Sequence, residues 1–211
     1  VVAVTKLTIT LDPMGSNSNV NERVSNNLIE TLIAMNFKTG ALEPGLAESW
    51  KFVNDKLLEL KIRKGVKCHN GEDFNAEDVE YMFGPARYNA DDAPGNKIAK
   101  QFLGTIESVK AVDSHTVHVT TSVADPLLEL RLANWMSQCP CADAYKAAES
   151  WEKWGQSVIG TGPYKLVKFQ PGDYQQFERF DDYWGAKPPV KGFTLKVIPE
   201  TSARIAGLIT G

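Results

Sequence analysis

"GVKCHNGEDFNAEDVEYMF", residues 65–83, sets a cysteine beside a histidine and follows them with a run of carboxylates. It reads either as the start of a metal or catalytic site or as a turn joining a strand to a helix. Cys68 and His69 are adjacent on an extended segment, so their side chains point to opposite faces and do not converge on one ion. A closed zinc site commonly needs four ligands from two or more elements. Asn75 precedes Ala-Glu-Asp, where its side chain can accept from an early helical amide, and Glu77 and Asp78 fall at the positive end of the helix dipole. The stretch therefore predicts strand, turn and capped helix.

The neighbouring sequence extends that pattern. "ESWKFVNDKLLELKIRKG" (48–65) predicts a hairpin with Leu58, Leu60 and Ile62 on one face and Asn54-Asp55 at its turn, and "IESVKAVDSHTVHVTT" (106–121) predicts a second, with Val117 and Val119 inward and Asp113-Ser114 at the bend. Upstream, "KLTITL" (6–11) alternates as a first strand, and the loop "DPMGSNSN" leads to a helix carrying Val20, Val24, Leu28 and Leu32, with Asn19 as N-cap. Downstream, Asp125 and Pro126 are placed as N-cap and first helical residue of "DPLLELRLANW". "GTGPYKLVKF" and "YQQFERF" predict strands around "QPGD", "FTLKVI" predicts another, and "ETSARIAGLITG" starts a helix that stops with the chain. This order predicts a mixed α/β (α+β) fold, and the abrupt end suggests a fragment.

With 211 residues, 43% hydrophobic, the chain can bury a real core. Twenty-six acidic against 23 basic residues leave a formal charge of −3 without a basic block, which argues against nucleic acid or an anionic membrane as partner. A small neutral or mixed-charge partner fits better. No apolar run approaches the roughly 20 residues of a membrane span, and Val1-Val2-Ala3-Val4 is too short for the apolar part of a signal peptide. The three cysteines are odd in number; Cys139 and Cys141 flank Pro140 too tightly to pair easily, whereas Cys68 can pair with either if the fold brings them together.

Chemistry-bearing motifs are sparse. His115 and His118 lie at an odd offset and oppose each other on a regular strand. No GxSxG elbow or papain-like cysteine signature is present, "GTGPYKL" lacks the Lys-Ser/Thr of a phosphate loop, and Asp91-Asp92 and Asp181-Asp182 sit in turn-like surroundings. The expectation is a non-enzyme without cofactor or bound metal. Trp50, Trp135, Trp151, Trp154 and Trp184 either fill the core or line a ligand surface.

Together, "GALEPGLAESW" (40–50), "LKIRKGVKCHNGEDFNAEDVEYMF" (60–83), "VIGTGPYKLVKFQPGD" (158–173), "DDYWGAKPPV" (181–190) and "VIPETSARIAGLITG" (197–211) resemble, in order and spacing, the bacterial extracellular solute-binding proteins of the peptide, opine and nickel class that serve ABC importers. The family usually has an aromatic where Cys68 stands, so Cys68 reads as a substituted packing residue before a tight turn. Asn54-Asp55-Lys56 replaces a common Asp-Gly turn. The resemblance implies a periplasmic-binding-protein-like lobe, its mixed sheet flanked by helices, in a protein that has two lobes at full length. Residues 1–45 and 155–211 would form the main part of the first lobe and 46–154 a smaller inserted subdomain, the second lobe being absent.

The implied function is capture of a peptide-like solute by Venus-flytrap closure and delivery to an inner-membrane ABC permease. The alternatives are an opine, oligosaccharide or metal-chelate receptor on the same scaffold, a sensor or chaperone, and, from another class, a secreted hydrolase. The implied location is periplasmic or lipid-anchored extracellular, with no signal peptide in this chain, and the full-length protein would be a monomer. Asn21 and Arg23 are expected as polar ligand contacts, and Tyr88, Trp135 and Met136 as cleft wall. The competing roles are a solvated helix face for Arg23 and a core position for Trp135.

Overall fold

A computed structural model describes residues 1–16, 18–134 and 136–210. The chain adopts the expected mixed α/β arrangement, built on two four-stranded sheets. One comprises β4 (Ala47–Asn54), β5 (Leu57–Ile62), β6 (Ile106–Asp113) and β7 (Thr116–Thr121), in the order β4-β5-β7-β6 and antiparallel throughout. These are the two predicted hairpins laid side by side. Alternation works as read: Leu58, Leu60, Ile62, Val117 and Val119 are at most 1% exposed.

The second sheet draws its strands from both ends of the chain. β1 (Val2–Val4) lies parallel to β10 (Gly192–Val197), which pairs antiparallel with β9 (Tyr174–Arg179), itself hairpinned to β8 (Tyr164–Gln170). A small ribbon of β2 (Ile33–Met35) and β3 (Leu42–Pro44) stands apart. Helices α1 (Asn19–Leu28), α2 (Ala76–Phe83), α3 (Asn96–Leu103), α4 (Leu128–Leu132), α5 (Ala142–Ala147) and α6 (Trp151–Gln156) fill the connections, and α7 (Thr201–Thr210) follows β10.

Four local expectations need correction. The first strand is Val2–Val4, not 6–11, because Thr8 and Thr10 turn their hydroxyls on the backbone: Thr8 Oγ1 donates to Thr10 O at 2.6 Å, and Asp12 N donates to Thr10 Oγ1 at 3.1 Å. Such local bonds compete with a strand ladder. Ser18, not Asn19, caps α1: its backbone is extended and its hydroxyl accepts from Val20 N. That helix ends at Leu28 because Ile29 is extended, which leaves Leu32 buried but outside it. Asp125 closes the turn before α4, accepting from Leu127 N at 2.9 Å, so the helix starts at Leu128.

The opening stretch folds as turn and helix; the strand expected in it ends earlier, β5 closing at Ile62, and Lys67 and Asp73 pair across the turn as an isolated bridge. Gly71, at φ +92°, closes the turn with Gly71 N donating to Cys68 O, and Asn75 and Asp78 form a reciprocal capping box on α2. Asp78 also accepts from Ala142 N at 2.7 Å, docking α5 onto α2. Burial holds the Asp78 carboxyl above its ordinary range, the bonds from Ala142 and Asn75 opposing that rise. Cys68 is buried, but it is more than the substituted packing residue expected: it forms a disulfide with Cys141, 73 residues away, and Cys139 is the free thiol. Only the tertiary fold brings those two segments together.

His69 is locked on the same turn. Its Nδ1 accepts from Gly160 N at 3.2 Å and its Nε2 donates to Gly162 O at 3.0 Å, while Phe180 packs edge-on at 5.1 Å. Those bonds require the neutral ring, and burial lowers its pKa to about 4. Because folding depresses this pKa, the stability His69 contributes is present above its unfolded value of 6.5 and is lost as pH falls toward 4. Wild type should lose about 2 kcal/mol more than His69→Gln between pH 7 and 4.5, after discounting for the partly exposed ring. Parallel urea-unfolding curves at the two pH values would show equal losses if folding left the His69 pKa at its unfolded value.

Candidate functional site

Loop 12–16 is built around one carboxylate. Asp12 Oδ1 accepts from Met14 N at 2.9 Å, and its carbonyl oxygen accepts from Gly15 N at 3.0 Å and from Asn21 Nδ2 at 3.1 Å. Its Oδ2 takes Arg87 Nη2 at 2.8 Å in an ion pair whose side chains are 0% and 2% exposed. Burial opposes the guanidinium's charge, and Asp12 and Tyr145 outweigh it, holding Arg87 above its ordinary value. The loop delivers the chain to the capped start of α1.

One face of that helix continues into a recess. Glu22 and Asn26, with Glu30 just beyond the helix end, line a cavity of about 420 Å³ with Ala34, Met35 and Phe37 of the β2–β3 ribbon and with Ala133, Asn134, Tyr183 and Trp184. Glu30 organises its wall: its carboxylate accepts from Tyr183 Oη and Trp184 Nε1, each at 2.7 Å, and from Thr161 Oγ1 at 3.0 Å. Burial raises its pKa, the bonds from Trp184, Tyr183 and Thr161 and the nearby Arg63 opposing the rise. Arg63 stacks over Trp184 with its guanidinium 4.3 Å from the ring centroid.

Residues 136–139 run against α1 and the residues after it. Gln138 Nε2 donates to Asn26 Oδ1 at 2.7 Å, and Cys139 N donates to Glu30 O at 2.8 Å. Met136 holds φ +66°, a backbone conformation uncommon outside glycine. The disulfide at Cys141 anchors the far end of this segment.

The five expected contact residues fall in different settings. Asn21 is 2% exposed and spends its amide on the Asp12 carbonyl. Arg23 is exposed on the second turn of α1. Tyr88 is 1% exposed, its hydroxyl donating to Leu103 O at 2.8 Å, and burial pushes its pKa to about 12. Met136 is also 1% exposed, and Trp135 lies outside the described residues. None of the described four lines the recess. Glu30 and Arg87 were not singled out from sequence; their partners Trp184 and Asp12 stand 154 and 75 residues away, so no local spacing marks them.

The opening cysteine and histidine are both committed to structure, one in a disulfide and one with both ring nitrogens on backbone groups. Among the described residues no group of three or more His, Cys, Asp and Glu is arranged to hold a metal ion, and no helix is long and apolar enough to cross a membrane.

Comparison with known proteins connects this geometry to a family. The dipeptide-binding protein of Escherichia coli K12 is 35% identical over 194 residues, covering 82% of this chain and 36% of that protein. Heme-binding protein A of Haemophilus influenzae is 28% identical, covering 90% of this chain and 37% of its own length. The chain thus spans little more than a third of these relatives. The periplasmic binding protein DppA of Helicobacter pylori, solved with the peptide STSA, superposes on the whole chain with a TM-score of 0.87 at 24% identity, over 44% of that protein, a likeness that establishes the fold of a periplasmic-binding-protein lobe. The sequence model described as "Bacterial extracellular solute-binding proteins, family 5 Middle" matches residues 41–211, and with these likenesses the chain belongs to family 5 of the bacterial extracellular solute-binding proteins.

Proposed function

We propose that this chain forms one lobe of the substrate-binding component of an ABC importer, which captures a peptide-like solute between two lobes and passes it unchanged to a permease. The observation that carries the reading is the family membership, strengthened by a relative named for binding dipeptides and a matching fold solved around a peptide. The buried Cys68–Cys141 disulfide suits an oxidising compartment, which favours a periplasmic or extracellular location. The proposed division of the lobe is 1–45 with 155–211 around the β1-β10-β9-β8 sheet, and 46–154 around the other.

The proposed ligand surface is loop 12–18, the start of α1 and segment 133–137. Arg23 would be the polar contact and Trp135 the wall. Asn21, buried against the Asp12 carbonyl, and the buried Met136 would shape this surface from beneath, while Tyr88 packs against α3 through Leu103. Closure of a second lobe would bury the solute and supply contacts absent from the open form, so one lobe alone should bind weakly.

Native mass spectrometry of the intact gene product, released gently from its compartment and then offered dipeptides, tripeptides, an opine, a nickel–histidine chelate and haem, tests the assignment. One peptide retained per protein is the expected result. Retention of the opine, chelate or haem in place of peptides would move the ligand class, and cleaved peptide would replace capture by hydrolysis.

A further inference from the structure

Among the described residues Arg87 is the one guanidinium in the interior, and a single nitrogen of it joins two loops. Nη2 donates to Asp12 Oδ2 at 2.8 Å and to Pro94 O at 2.9 Å, while Nε donates to the Tyr145 hydroxyl at 3.1 Å. Asp12 and Pro94 each stand just before one side of a very close contact. Gly95, at φ +74°, lies so near the loop that a Cβ on it would come within 1.7 Å of Met14 O. The remaining walls around Arg87 are aromatic: Trp151 faces its guanidinium at 5.1 Å, and Tyr145 stacks on Trp154 at 3.6 Å between ring centroids. Trp154 belongs to α6, whose Gly155 carbonyl accepts from Leu11 N at 2.7 Å, so the aromatic stack also grips the residue entering the loop.

A planar donor fork can bridge a carboxylate, a carbonyl and a hydroxyl at fixed angles, whereas an ammonium presents one compact point charge. Loop 12–16 is thus held from three chain segments through one side chain. We propose that Arg87 is a positioning residue: through Asp12 and Pro94 it fixes loop 12–16 in its solute-receiving conformation before solute arrives. This rests on the proposed reading of that loop as ligand-facing. Such preorganisation raises affinity by removing the ordering that binding would otherwise require. Arg87 itself touches no solute, since its side chain is 0% exposed.

Two variants separate positioning from general stability. Tyr145→Phe removes the hydroxyl that receives Nε, and Arg87→Lys keeps the charge without the fork. Val119→Ala, in the β4-β5-β7-β6 sheet, serves as the control that lowers the melting temperature without touching the loop. In the intact gene product, held well below every melting temperature, both loop variants should exchange the amides of 12–16 roughly tenfold faster than wild type. They should also weaken binding of the best dipeptide of the panel by about tenfold. The control should alter neither. Unchanged exchange at 12–16 in both variants, or affinity that follows melting temperature equally in all three, overturns the proposal. If wild type takes up no peptide, the ligand reading fails on its own and the exchange arm still decides whether Arg87 positions the loop.

Discussion

Asp12→Ala should lose about 3–5 kcal/mol of folding stability, because it strands the Arg87 guanidinium in the interior. Arg87 Nη1 has no hydrogen-bond partner among the described residues even in the native pair, so part of the guanidinium's desolvation cost is already uncompensated. Removing the Asp12 carboxylate takes away its counter-charge, and the amides of Met14 and Gly15 lose the geometry that Asp12 imposes. Asp12→Leu combined with Arg87→Met should be less damaging than Asp12→Ala alone, since two apolar side chains carry no buried charge. Chemical denaturation of the three proteins measures both steps. Similar stability for Asp12→Ala and wild type would mean that the guanidinium escapes to water and the pair is not buried as described.

Loss of the disulfide is the second large effect. Cys68→Ser with Cys141→Ser opens a cross-link of 73-residue separation, for which chain-entropy reasoning gives about 4 kcal/mol. Realised values lie lower when the unfolded chain keeps structure, so the expected loss is about 2–4 kcal/mol. For a chain of this size that corresponds to a fall in melting temperature of roughly 5–15 °C. Reductant should reproduce the loss in wild type and leave the double serine variant unchanged. Cys139→Ser should lose stability in reductant as wild type does, because the buried Cys139 thiol takes no part in the cross-link and burial raises its pKa. A reductant-insensitive wild type with both thiols open to alkylation would remove the cross-link from the account.

How legible the molecule was depended on the range of each interaction. The hairpins could be read because Leu58, Leu60, Ile62, Val117 and Val119 report burial at a period of two, and α2 because its capping box spans four residues. Residues 6–11 misled for a local reason as well: alternation was present, but the threonine hydroxyls captured the backbone. The site is different in kind. Glu30 meets Trp184, Asp12 meets Arg87 and Cys68 meets Cys141 only in the tertiary fold, so no window of sequence contains both partners. Tyr88 shows the same limit from the other side. Its hydroxyl gives a large aromatic equal reason to line a cleft or to cross a core, and the Leu103 carbonyl takes it inward.

The central claim is capture of a peptide-like solute without chemistry. Titration calorimetry of the intact gene product with the best dipeptide of the panel, followed by mass analysis of the peptide recovered, tests it most directly. One site per protein, micromolar or tighter affinity and an unaltered peptide are the predicted result. A folded protein that takes up heat from no peptide, or that returns the peptide cleaved, would contradict it.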